Sequence, residues 1–99
     1  MENKLFHLLV TFHAKPGQRE NFMRKLVTTG LLDTIRAEDG CQRYDFYLSV
    51  QDEDEVLLVE RWESLAHQEV HMTQPHMAIM REIQAETIAS VELTEYEVR

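Results

Sequence analysis

The sequence is poor in several things, and each absence narrows what the chain can be. It has a single cysteine, Cys41, which excludes an internal disulfide and any metal site built from several thiolates. Basic residues are scarce beside acidic ones, 10 against 18, for a formal charge of -8. A surface of that sign repels phosphate backbones and anionic lipid, so neither nucleic acid nor a membrane surface is an expected partner. No stretch approaches the roughly 20 apolar residues of a membrane span. The opening MENKLFHLLVTFHAKPG turns polar by Lys15, too soon for a signal peptide. There is no G-x-S-x-G, no glycine-rich phosphate loop and no cysteine beside a histidine. Hydrolases and nucleotide enzymes are therefore disfavoured, and the expected setting is the cytoplasm.

What remains is an ordinary globular composition, 43% hydrophobic and 28% charged over 99 residues, enough for one domain spanning 1–99 and no second core. KLFHLLVTFHA, from Lys4 to Ala14, is rich in aromatic and β-branched residues and reads as a strand. Phe6, Leu8, Val10, Phe12 and Ala14 make one wholly apolar face; the other face is mixed. Pro16 suits the first turn of a helix. Phe22, Met23, Leu26, Val27 and Leu31 then follow at helical spacing, predicting a helix that runs to about Ala37 and ends at Gly40. Gly30 inside it costs about 1 kcal/mol relative to alanine, which points to a kink or a close approach. CQRYDFYLSV and EVLLVERWE read as two strands joined through a solvated acidic tip, QDEDE. Ser64 is a good N-cap for a short helix, Leu65 to Met72, which Thr73 and Pro75 end. Pro75 opens another helix, and IASVELTEYEV closes the chain as a strand. The order is that of an α+β, ferredoxin-like βαββαβ fold, a four-stranded antiparallel sheet with helices on one face. The uncovered face keeps apolar residues, and a second copy packed sheet to sheet is the simplest cover, so a homodimer is expected.

HQEVHMTQPHM, residues 67–77, holds three of the five histidines. Glu63, His67 and His71 recur every four residues, a spacing that can present metal ligands on one helix side. No H-E-x-x-H motif accompanies them, and Glu63, His67 and Gln68 read better as the exposed side of a short amphipathic helix; no metal is expected. His71 and His76 flank the break at MTQP. A helix junction leaves backbone groups unpaired and can hold a polar ligand, and a neutral imidazole can move a proton near pH 7. Trp62 shares a strand face with Val56, Leu58 and Glu60. Glu60 is a carboxylate in an apolar strand and needs a partner, for which Arg43, His7 or a ligand are candidates; otherwise its pKa rises. Tyr44 and Tyr47 point to opposite faces, so at most one of them lines a cavity with these residues.

VTFHAKPGQRENF, GCQRYDFY and VERWESLAHQEVHMTQPHM together resemble the antibiotic biosynthesis monooxygenase family across nearly the whole chain. The most specific feature is Glu-x-Trp followed by a short helix, a histidine and Pro-His. The resemblance implies a dimeric α/β barrel. It also implies oxidation of a quinol-like or phenolic small molecule by O2 with no cofactor, neither metal nor flavin. On it, Trp62 is the ring contact, His71 the base or anion stabiliser, and Arg81 a partner for the substrate's anionic oxygen. His76, Glu60 and Tyr44 complete the pocket. Leu58 stands where some quinone-forming members have an asparagine, four residues before the tryptophan, and His71 stands where haem-degrading relatives have a tryptophan. A branch similar at the His and Pro-His positions isomerises phosphorylated autoinducer-2. An isomerase of a small carbonyl compound is therefore an alternative, as is a non-catalytic small-molecule-binding protein.

Overall fold

The apolar face of the first strand organises everything around it. The computed structural model describes residues 4–98. Within them, β1 (Phe6–Ala14) is a central strand, paired antiparallel with β3 (Glu55–Trp62) on one side and β4 (Ile88–Tyr96) on the other. β2 (Cys41–Leu48) adds to the outside of β3, giving the order β2-β3-β1-β4. The register sets Val10 opposite Leu58 and Phe12 opposite Val56, so the two apolar faces are one surface. This is the expected ferredoxin-like arrangement.

The helices cover that surface. Phe22 and Leu26 of α1 (Arg19–Thr28), Leu31 and Ile35 of α2 (Leu31–Arg36), and Met77, Met80 and Ile83 of α4 (Met77–Thr87) are all buried against it. Each such side chain contributes roughly 1.5–3 kcal/mol by leaving water. The fourth helix, α3 (Leu65–Met72), behaves differently: its one buried residue is His71. Ser64 caps it as expected, accepting a hydrogen bond from the His67 backbone N–H at 3.2 Å.

Two details depart from the sequence reading. The first helix does not run to Ala37. It breaks at Gly30, whose left-handed φ of 74° starts α2 as a separate helix. Pro16 lies before the helix rather than in its first turn. It sits in a Lys15–Gln18 turn closed by a 2.9 Å backbone hydrogen bond, with Gly17 at φ 77°.

Gly40 does not end α2, which stops at Arg36. It has a more specific task in the loop that follows. Its φ is 81°, and a Cβ there would overlap the imidazole of His67. Its carbonyl accepts from the Glu63 backbone N–H at 2.8 Å. The loop before β2 is thus pressed against the start of α3. Gly30 has open space around it, so Gly30→Ala carries only the left-handed penalty, about 1–2 kcal/mol. Gly40→Ala adds overpacking, typically a further 1–3 kcal/mol. In a His67→Ala background the cost of Gly40→Ala should fall to the Gly30→Ala level. A double-mutant cycle by denaturant unfolding measures this; an unchanged cost would contradict it.

Candidate active site

The period of a strand puts Glu60 and Trp62 on one face of β3, two residues apart. The indole N–H of Trp62 reaches back and donates to Glu60 Oε1 at 2.9 Å, with both residues buried. This bond, rather than a cation, is what Glu60 has for a partner. Arg43 and His7 lie opposite Arg61 in the register and so occupy the other face of the sheet. There Arg43 pairs with Asp45 at 3.0 Å and the Tyr47 hydroxyl at 2.7 Å, and His7 faces the ring of Tyr96. On the buried face Glu60 stands between Leu8 and Tyr44. Burial pushes its carboxyl up to about 7, against the pull of the indole N–H and helped by the charge of Glu38.

His71 turns inward from α3 and lies over Trp62, ring centroids 4.6 Å apart, with Tyr44 edge-on at 5.6 Å. Leu58 is buried in the same wall. The polar edge of His71 meets a residue that sequence reasoning missed. Glu38, in the loop between α2 and β2, places Oε2 at 2.9 Å from His71 Nδ1 and 2.8 Å from His76 Nε2. An ionised carboxylate only accepts, so each imidazole presents an N–H to that one oxygen. In its neutral form His71 then carries its proton on Nδ1 and its lone pair on Nε2. His76 is the N-cap residue of α4, just outside the helix, which is how it reaches back across the Thr73–Pro75 break.

His67 and His71 do not form a common set with Glu63. His67 faces outward to Asp39 and Glu63, at 3.5 and 3.7 Å. The described residues that bring ligand-type atoms together are Glu38, His71 and His76, and two more exposed groups, His13–Asp52–Glu55 and Asp39–Glu63–His67. Arg81 is exposed on α4 and has no hydrogen bond or ion pair to the cluster among the described residues. Trp62 is fully buried under His71, so it forms the wall behind the imidazole rather than an open contact surface.

Burial, reinforced by Glu38 and Glu60, pushes the Cys41 thiol up to about 11 and the Tyr44 phenol well above its ordinary value. Neither is an anion at neutral pH. The cluster is closely packed but not sealed. The Tyr44 hydroxyl, the second oxygen of Glu60 and His71 Nε2 have no hydrogen-bond partner among the described residues. No fully enclosed side-chain oxygen or nitrogen there lacks one, so these three atoms reach space that water can enter. Glu38 also lines a cleft of about 320 Å³ with Asp39, Ala66, His67, Val70 and Gln74. A larger cleft, about 860 Å³, opens beside Phe6, Arg61 and Tyr96, and none of the cluster residues lines it.

The sequence profile of the antibiotic biosynthesis monooxygenase family matches residues 5–82. The Escherichia coli protein YgiN, a probable quinol monooxygenase, is 28% identical over 78 residues, covering 71% of this chain and 75% of its own. Among solved structures, PA3566 from Pseudomonas aeruginosa superposes with a TM-score of 0.85 at 25% identity, covering 97% of this chain and 95% of its own. Rv0793 from Mycobacterium tuberculosis does so at 0.81 and 27% identity, covering 96% and 95%.

Glu60 gives the site a pH signature. A carboxyl whose folded pKa exceeds its unfolded one stabilises the fold while protonated. That contribution is full below the ordinary 4.5 and is lost as pH rises through about 7. Relative to Glu60→Gln, the wild-type chain should lose on the order of 2–3 kcal/mol of stability between about pH 5 and pH 8. Urea unfolding of both proteins at the two pH values measures the difference; parallel profiles would contradict the assignment.

Proposed function

This chain belongs to the antibiotic biosynthesis monooxygenase family, and from that premise we propose that it oxidises a small electron-rich aromatic, a quinol or phenol, with O2. The observation that carries the reading is Glu38 accepting from both His71 and His76, which puts the lone pair of the neutral His71 ring on Nε2, in a ring packed against Trp62 and Tyr44. A phenolic hydroxyl brought to that nitrogen loses its proton to it. The imidazolium formed is matched by the Glu38 carboxylate on its other side, as a carboxylate–histidine pair requires. Low polarity around Trp62, Tyr44 and Leu58 raises the energy of the phenolate relative to water and so favours electron loss.

The phenolate then passes one electron to O2. Superoxide and the aryloxyl radical combine at a ring carbon that carries spin density, and the hydroperoxide loses water to leave a quinone. One oxygen atom ends in the product and the other in water, and the substrate supplies all four electrons, so the reading needs no resident cofactor. The 320 Å³ cleft shares Glu38 with the cluster but is lined by none of His71, Trp62, Tyr44 and Leu58, so it sets no limit on the size of a ring at His71. α3 buries only His71, so moving it to admit the ring exposes little apolar surface. Arg81, exposed on α4, has no part in this scheme.

Two imidazoles on one carboxylate also suit proton transfer next to a carbonyl, as an isomerase of a small carbonyl compound needs. Oxygen dependence separates the two readings. Chelator-treated protein with a panel of hydroquinones and naphthols should consume O2 well above the uncatalysed rate. His71→Ala should lose most of that excess, on the order of 10²-fold or more for a general base. No uptake with any member would overturn the oxidative reading.

The partner expected on the sheet's open face is a second copy. Leu9, Leu57 and Val59 lie on that face beside the exposed Tyr47. Light scattering should give twice the 11.7 kDa chain mass. Leu57→Asp, which places a charge in that face, should shift the mass toward one chain with the circular dichroism kept; an unchanged dimer would place the interface elsewhere.

A further inference from the structure

We propose that Glu38, His71 and His76 form a binding site for one borderline first-row divalent cation, of the Zn2+, Co2+ or Fe2+ class. Two imidazole nitrogens and one carboxylate oxygen are the donor set such ions favour, and three protein ligands leave positions open for water. Donor atoms about 2.1 Å from a tetrahedral ion stand about 3.4 Å apart. Glu38 Oε2 is 2.9 Å from His71 Nδ1 and 2.8 Å from His76 Nε2, so two of the three edges need only open by about half an ångström once the ion replaces the bridging protons. The third, between the imidazoles, is at most 4.8 Å. His76 can close it, because its side chain is 21% exposed whereas that of His71 is 1% exposed.

The surroundings suit a cation that keeps open positions. Glu38 forms part of the wall of the 320 Å³ cleft, so water or a small ligand can reach an ion held by its carboxylate. The loop carrying Glu38 is fixed by the Gly40–His67 contact and the Gly40–Glu63 hydrogen bond, which pre-positions the carboxylate. Two other groups of potential ligands, His13–Asp52–Glu55 and Asp39–Glu63–His67, each offer one imidazole and are more exposed, and the first serves as an internal control.

The inference does not rest on the oxidative reading, but it bears on it. An ion on His71 Nδ1 moves the ring proton to Nε2. The face turned toward Trp62 and Tyr44 then donates a hydrogen bond instead of accepting a proton. Occupancy would switch His71 from base to anion stabiliser.

The test is direct binding of Zn2+ and Co2+ to chelator-stripped protein, by calorimetry and by the visible bands of Co2+. One ion per chain is expected. Glu38→Gln and His76→Ala, at positions that are not fully buried and with folding checked by circular dichroism, should each weaken binding more than about tenfold. His13→Ala should leave it unchanged. No binding at about 100 μM ion, or binding that survives both Glu38→Gln and His76→Ala, would overturn the site. Because binding is read without turnover, a failed oxygen assay leaves this result standing, and the reverse holds as well.

Discussion

One carboxylate oxygen, Glu38 Oε2, ties together the three segments that make the site. It comes from the loop between α2 and β2, and it accepts from a histidine of α3 and from the histidine just before α4. Charge-assisted hydrogen bonds of this kind are roughly twice as strong as neutral ones, and these sit where the Glu38 side chain is only 11% exposed. The break between α3 and α4 is therefore fixed by a polar contact. α3 has almost no apolar burial of its own to hold it, and His71 is both its anchor and the candidate base.

That arrangement separates the proton acceptor from the groups around it. Glu60, Cys41 and Tyr44 all line the neighbourhood of His71, and burial together with nearby negative charge holds each above its ordinary pKa. Cys41 and Tyr44 stay protonated at neutral pH and Glu60 is partly so, while the Nδ1 contact with Glu38 leaves the far nitrogen of His71 free to take part in proton transfer. Burying such polar groups is costly, and the apolar core packed on the same sheet face offsets it; the strands and α1, α2 and α4 supply that burial independently of the site.

Much of this could be read from the residues. Strand alternation fixed Trp62, Leu58 and Glu60 to one face and Tyr44 and Tyr47 to opposite ones, since a period of two leaves little freedom. Ser64, Thr73 and Pro75 marked the short helix because capping and proline chemistry are local. Glu38 could not be found that way. It is 33 and 38 residues from its partners, sits in an irregular loop, and looks like any acidic residue after a helix; only tertiary folding brings it there. Glu60 is the opposite case: its partner is a neighbour two residues away rather than a distant cation, and strand alternation placed Trp62 on its face without giving the direction of the indole N–H. Nor did the helix position of Arg81 show that its side chain would be exposed, with no bond to the cluster among the described residues. Gly30 was flagged by its cost in a helix, yet a kink and a full break read alike until the backbone turns left-handed.

The measurement closest to the centre of this account is the tautomer of His71 in chelator-treated protein, read from long-range ¹H–¹⁵N correlations of the imidazole near neutral pH. The account predicts a proton on Nδ1 and a bare Nε2 for His71, with the opposite arrangement, a proton on Nε2, for His76. A His71 ring protonated at Nε2 alone would mean that Glu38 does not orient it, and the assignment of His71 as the base would fail with it.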